Sequence, residues 1–543
     1  MAQPPADNTL ILEPLPEEKA KALETSPAVL GSQTVEAEGV DAATPDDREP
    51  TYLMQGLLCA VASLEGADTV LLGASMGALI DDKILKLTDV SYMTISQMVL
   101  TNLAAPFWGI LADRGIMKRR TILLVGALGQ GFVTILLAFV TSMLPMIFLR
   151  ALNGALLAAL RPISNGIVAD MTAESKRGKI FGRIQSALLL GMFVTNMTVV
   201  PLAPAKNVWG THGWRVAYVI VGSVSVLVSA LVTAFMREPP RAEEARDCGA
   251  GGRGGGCAAA ASEVGNLLKF FRMPTFCVMI LQGIFGTIPW TVMGYQTLFF
   301  QKEGMHNGLV GFLTSIGPVT GAAGNIIGGM VADGLARRFH LHGRPLSAQL
   351  TVAFGVPLMY LIFMVVPMEK DSFGMYLALS IAFGLLGSWA QSGTNFPILS
   401  HIVPSQARSR ILAWECALEN SIANAVGPLV VSLIAEKAFG YDLGADSGTS
   451  EDKDAARALG RALAATICIP WTIDFFLYSL LHWTYPRDVR RLERRAQLQQ
   501  EATPAADAVV SAEVPSAVKP CAEADDGGHG PKVVATEENL VSI

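Results

Sequence analysis

Twelve apolar runs, each near twenty residues long, constrain this chain more than any motif in it. They cover residues 52–78, 90–112, 121–142, 144–169, 180–202 and 215–236, then 274–299, 308–332, 347–367, 373–400, 410–434 and 462–484. About 20 apolar helical residues cross a bilayer core about 30 Å thick. Inside hydrocarbon the backbone must satisfy its own hydrogen bonds, which a helix does. The chain therefore reads as an all-α polytopic membrane protein with twelve transmembrane helices. Composition agrees: 16% of the 543 residues are charged and the mean hydropathy is +0.41, against about 25% charged residues in soluble domains.

Charge placement divides the chain further. Residues 1–50 are acid-rich and show no basic region ahead of an apolar one, so a cytosolic tail without a fixed fold is expected rather than a cleaved signal peptide. Residues 51–238 form a first six-helix unit, and 239–266, with "GAGGRGGGCAAAA", read as a flexible linker. Residues 267–486 form a second unit, and 487–543 a basic juxtamembrane segment followed by a disordered tail. Bases cluster after even-numbered spans: Arg114, Lys118, Arg119 and Arg120; Lys176, Arg177 and Lys179; Arg337, Arg338 and Arg344; Arg408 and Arg410; and Arg487, Arg490, Arg491 and Arg494. Basic loops favour the cytoplasmic side, so both termini are expected there, with the last cluster resting on anionic lipid.

The two units repeat one another. "GILADRGIMKRR" closes the second span with Gly109, Asp113 and Arg114, and "GMVADGLARR" closes the eighth with Gly329 and Asp333, 220 positions later. "ESKRGKIFG" before the fifth span likewise resembles "SQARSRILA" before the eleventh. Transporters built from repeated halves show such internal symmetry.

On these residues the chain resembles the major facilitator superfamily, whose signature loop between helices 2 and 3 reads Gly-x-x-x-Asp-Arg-x-Gly-Arg-Arg. Gly109, Asp113 and Arg114 match it, Arg119 and Arg120 supply its basic end, and the interior glycine is shifted to Gly115. "FLRALNG" with Arg150 and Gly154, and "GWRVAYVIVG" entering the sixth span, match further. Within that superfamily "RALNGALLAALRPISNGIVAD", ending on Asp170, is similar to the spinster-like branch. The resemblance implies two pseudo-symmetric six-helix bundles and a secondary transporter of a small organic solute, lipid-like or an organic anion, coupled to a proton or sodium ion. A drug- or sugar-type facilitator, or a non-transporting sensor on the same scaffold, are the alternatives. It also implies gating latches: Asp113 with Arg114 and Arg408, and Asp333 with Arg337 and Arg338 against the fifth span, with Asp170 and Arg177 at the matching loop.

Charges inside the spans carry the chemistry, because a charge at mid-bilayer costs about 2.5–3.5 kcal/mol on insertion scales and normally faces a cavity. Glu65 and Asp68 share one face of the first span. Arg150 and Arg161, eleven residues apart, share a stripe of the fourth. One reading makes Asp68 or Glu65 the ion-binding carboxylate that releases Arg150, with Arg161 meeting an anionic substrate; the other makes both pairs static braces. Glu415 and Glu419 form an i, i+4 pair in the eleventh span, suited to a cation or to bracing a gate. Gln282, Trp290, Tyr295, Gln296, Trp389, Gln391 and Asn395 are candidates for shaping specificity, or for packing alone. Asp474, in the normally peripheral twelfth helix, is expected to pack against a neighbour.

Free cysteines in the apolar runs behave as small hydrophobes, and no metal-ligand spacing, nucleotide loop or reactive cluster is present in the sequence. No cofactor, metal, nucleic-acid partner or enzymatic activity is therefore expected. The expected partners are the solute, the coupling ion and the lipid bilayer.

Overall fold

The computed structural model describes residues 51–82, 85–113, 115–172, 174–236, 270–367, 372–403, 408–440 and 449–512. The expected tails and the linker at 239–266 lie largely outside the described residues. Within them the chain is helical, and the helices follow the apolar runs: α1 (Tyr52–Asp81), α2 (Leu87–Asp113), α3 (Arg119–Leu137), α4 (Met143–Leu157, resumed as Leu160–Met171), α5 (Glu174–Leu202) and α6 (Gly213–Phe235). The second half gives α7 (Pro274–Thr291, resumed as Gln296–Lys302), α8 (Asn307–Arg338), α9 (Gly343–Tyr360), α10 (Phe373–Leu386, resumed as Phe396–Ile402), α11 (Arg408–Leu433) and α12 (Thr449–Ala512). Among the described residues, eleven helices are long and apolar enough to cross a membrane. The twelfth expected span is the broken α10.

The breaks have local causes. Pro289 and Gly294 bracket the interruption of α7, where Met293–Tyr295 forms a single tighter turn. In α10 the helix stops at Gly387, and the side chains around it take up the loosened backbone. Thr351 of α9 donates to the Leu386 carbonyl at 2.6 Å and accepts from the Trp389 amide at 3.3 Å. Irregular backbone at membrane depth is tolerated where protein groups re-satisfy it in this way. The end of α12 departs from expectation. It continues through the basic juxtamembrane segment to Ala512, into the stretch where a disordered tail is expected.

Packing repeats between the halves. α1 lies along α5 as α7 lies along α11; α2 along α4 as α8 along α10; α3 along α6 as α9 along α12. The bundles meet through α2 with α11 and α5 with α8, two contacts that exchange under the same repeat, and through α1 with α7. This is the pseudo-twofold arrangement the duplicated loops imply.

The described polar contacts between the bundles gather toward the face opposite the basic loops. Thr88 at the start of α2 donates from its amide at 2.9 Å, and from its hydroxyl, to Glu436 just beyond α11. Ser91 contacts the Tyr295 hydroxyl at 2.6 Å and donates to the Pro428 carbonyl at 2.8 Å. Lys302 pairs with Asp81 at 3.1 Å. At this end α1 and α7 approach so closely that a Cβ added to Gly73 would stand 3.2 Å from Gly294 Cα. Lipid tails are as apolar as leucine, so helices associate through such close van der Waals contact. The molecule is therefore latched at that face.

Gly73→Val should wedge α1 from α7. Spin labels replacing Trp209 and Phe439, both in loops at the latched face, should gain a longer-distance population in this variant; an unchanged distribution would contradict the close-approach argument.

Glu303, just past α7, accepts a hydrogen bond from Tyr376 of α10 at 2.5 Å. Burial pushes its carboxyl up to about 7, against the opposing effect of that bond. The folded state then holds a proton that the unfolded chain has already released, so stability falls as pH rises from the ordinary carboxylate range through about 7. Melting temperatures in detergent between about pH 5 and 8 should decline less steeply for Glu303→Gln than for the wild type. Equal slopes would remove Glu303 as the cause.

Candidate transport and coupling site

α1 turns Asp68 into the interior of the first bundle, where it is fully buried, as are Gln97 of α2, Gln130 and Thr134 of α3, and Arg150 and Asn153 of α4. Asp68 is the hub. Its Oδ2 accepts from Gln97 Nε2 at 2.6 Å, and its Oδ1 from Gln130 Nε2 at 3.1 Å and Asn153 Nδ2 at 3.2 Å. Arg150 stands 3.9 Å from the same carboxylate and donates to Gln97 Oε1 at 2.5 Å. Gln97 therefore bridges acid and base, donating to one and accepting from the other. Arg150 Nε and Nη1 find no hydrogen-bond partner among the described residues. A charge in so dry a place is held by its partners alone.

One turn earlier on α1, Glu65 pairs with Arg161 of α4 at 2.7 Å, with the arginine 60% exposed. The structure thus sets acidic α1 against basic α4 as two parallel pairs, one sealed and one open. Gln97, Gln130 and Asn153 were not singled out from sequence. Their signal was a polar residue in each of three consecutive apolar spans.

The second bundle holds a cavity of about 390 Å³. Gln282 and Trp290 of α7, Asn395 of α10 and Glu419 of α11 line it. So does Asp474 of α12, contrary to the expectation that it packs away from the cavity. Trp471 and Tyr478 line it too, three residues before Asp474 and four after it. That spacing places all three on one helical face, and it was legible in the sequence. Asp474 reaches the cavity because α7 presents glycine there. A Cβ on Gly286 would meet Asp474 Oδ2 at 3.1 Å, and one on Gly283 would collide with Glu419. Tyr478 donates to Asn395 Oδ1 at 3.1 Å. Glu415, Cys416 and Glu419 bring one ligand-type atom each within 4.8 Å of one another.

Other expected residues sit elsewhere. Tyr295 is buried against Ser91 as part of the latch, and Gln296 contacts Met293 Sδ at 3.0 Å. Trp389 is buried, its indole donating to the Leu385 carbonyl at 2.6 Å. None of the three lines the cavity.

Among the motif residues, Gly109 faces open space, Arg119 lies against Gly166, Arg120 donates to the Thr233 carbonyl, and Arg177 donates to the Thr172 carbonyl at 3.0 Å. Asp333 was expected against α5, but its carboxylate pairs with Arg344 of α9 at 3.1 Å. The short turn between α8 and α9 puts that guanidinium within reach first. Arg337 and Arg338 stand exposed in the last turn of α8. Arg114, and the side chains of Asp113, Asp170, Gln391 and Arg408, lie outside the described residues.

Among the described residues, twelve helices in two repeated bundles, a latch at one face and buried charges between α1 and α4 define a membrane carrier. The Major Facilitator Superfamily model matches residues 58–428, and the chain belongs to that family. It is a secondary transporter of small solutes that works by alternating access. Among relatives, it is 25% identical over 334 residues to multidrug resistance protein MdtG of Proteus mirabilis (strain HI4320), covering 61% of this chain and 75% of that protein. The match to the protein of the same name from Escherichia coli (strain 55989 / EAEC) is 31% over 140 residues, 26% of this chain and 32% of that protein. Among solved structures, a bacterial homologue of the human lysosomal transporter Spinster, inward-facing and occupied, superposes with a TM-score of 0.65 at 18% identity, over 80% of this chain and 97% of that one. A D-xylose–proton symporter gives 0.57 at 16% identity, over 77% and 97%.

Arg150→Met should lower stability in detergent by about 3–5 kcal/mol, the cost of leaving a buried charge without its partner. The double variant Asp68→Asn with Arg150→Met should recover much of it. A double variant as unstable as the sum of the singles would show that the two charges do not depend on each other.

Proposed function

We propose that the protein is an ion-coupled transporter in which Asp68 takes up and releases a proton as the two bundles rock. The observation that supports this most is the sealed cluster around Asp68, in which Gln97 links the acid to Arg150. Neutralising the carboxylate would loosen Arg150 and its bridge together, and both lie on helices packed against one another. Sodium is the alternative ion. The three amide N–H groups turned toward Asp68 leave such an ion few oxygen ligands, whereas a proton needs only the carboxylate.

With the basic loops on the cytoplasmic side, the latched face is external and the state described is inward-facing. Both termini are then cytoplasmic. The solute is a small organic molecule admitted from the basic-loop side into the space between the bundles. Both arginines proposed for an organic anion already face carboxylates, Arg150 at 3.9 Å and Arg161 at 2.7 Å. Anion binding would therefore require those pairs to open during the cycle. The multidrug resistance name of the relatives supports a drug-type solute as the second reading.

Reconstituted vesicles carrying an internal pH dye test the coupling. Ethidium, benzoate and glucose are presented under an imposed pH gradient. At least one should drive proton movement through the wild type, and Asp68→Asn should abolish that movement while retaining counterflow of the same solute. Wild-type pH dependence in Asp68→Asn would overturn the assignment.

A further inference from the structure

We infer that the cavity in the second bundle is a binding site for an organic cation: a protonated or quaternary amine whose charge sits at Asp474 and whose apolar body lies along Trp290 and Trp471. This rests on the transporter reading and names the chemical class of its solute.

Three observations converge. Among the described residues, the charged side chains lining the cavity are two acids, Glu419 and Asp474, with no lysine, arginine or histidine beside them. Asp474 and Gln282 are both 98% or more buried, and Asp474 Oδ1 and Gln282 Oε1 find no hydrogen-bond partner among the described residues. Each offers a lone pair, and neither meets a donor. A positively charged ligand with N–H or polarised C–H groups supplies what these acceptors lack.

The walls carry the rest of the signature. Trp290 and Trp471 stand with ring centroids 6.0 Å apart, and Phe383 lies 5.7 Å from each of them. The Trp471 indole donates to the Gly286 carbonyl at 3.0 Å, which fixes the ring beside the glycine that admits Asp474. Aromatic faces next to a carboxylate are how proteins hold ammonium groups, because the ring quadrupole attracts the cation without requiring a hydrogen bond. A volume of about 390 Å³ suits a compact amine bearing one ring. A bare metal ion would leave the tryptophans unused, and an anion would meet two acids.

Full-length protein in lipid nanodiscs is titrated with tritiated benzyltrimethylammonium in a scintillation-proximity assay. Neopentylbenzene, its neutral carbon isostere, and benzenesulfonate serve as competitors. The cation should bind at least tenfold more tightly than the neutral isostere, and benzenesulfonate should not compete. Asp474→Asn should remove that preference, and Trp290→Leu, at the half-exposed rim, should weaken the cation several-fold while leaving the isostere within twofold. If Asp474→Asn does not yield folded protein, Trp290→Leu carries the test. Binding is read at equilibrium without a pH gradient, so a failure of proton coupling leaves this result standing. Equal binding of cation and isostere, an unchanged preference in Asp474→Asn, or displacement by sodium ion at concentrations that leave the isostere bound would overturn the inference.

Discussion

A fully buried carboxylate, 3.9 Å from an equally buried guanidinium, governs how this molecule is built. Taking both charges out of solvent is costly, and their attraction offsets that cost only when further hydrogen bonds complete the geometry. Gln97, Gln130 and Asn153 provide those bonds from three different helices. Asp68 thereby fixes how α1, α2, α3 and α4 are rotated about their axes, something lipid-facing leucines cannot specify. The arrangement is also poised to change. On the proposed reading, a proton added at Asp68 weakens the three hydrogen bonds it accepts together.

That hub sits in the first bundle, while the aromatic and acidic cavity sits in the second. The bundles communicate at the latched face, where Thr88, Ser91, Tyr295 and Glu436 join α2 to α7 and α11. α2 carries both Gln97 of the hub and Ser91 of the latch, less than two turns apart. A change at Asp68 thus has a rigid element through which to bias the latch. This is a physical connection between sites through one packed helix.

Much of the fold was legible in the sequence because bilayer thickness fixes helix length and a duplicated loop exposes a duplicated bundle. The acidic first helix and basic fourth helix were also legible, since charges inside apolar runs must find one another. Partner choice was harder to read. Arg344 captured Asp333 because the turn between α8 and α9 is short, a fact about chain path rather than residue type. Asp474 was assigned to packing on the position of its helix in the fold. Its true environment depended on Gly286 of α7, which looks like an ordinary small packing residue until the helix facing it is known. Tyr295 shows the converse: a tyrosine suited to a binding site serves the latch instead.

The central claim is that the charge on Asp68 controls which face of the transporter is closed. Pulsed electron–electron distance measurements between labels on the basic-loop ends of the two bundles, recorded across pH in nanodiscs, test it most directly. The account predicts that the wild-type distance distribution shifts with pH and that Asp68→Asn holds one distribution throughout. A wild type indifferent to pH, or an Asp68→Asn variant that still follows it, would contradict the claim.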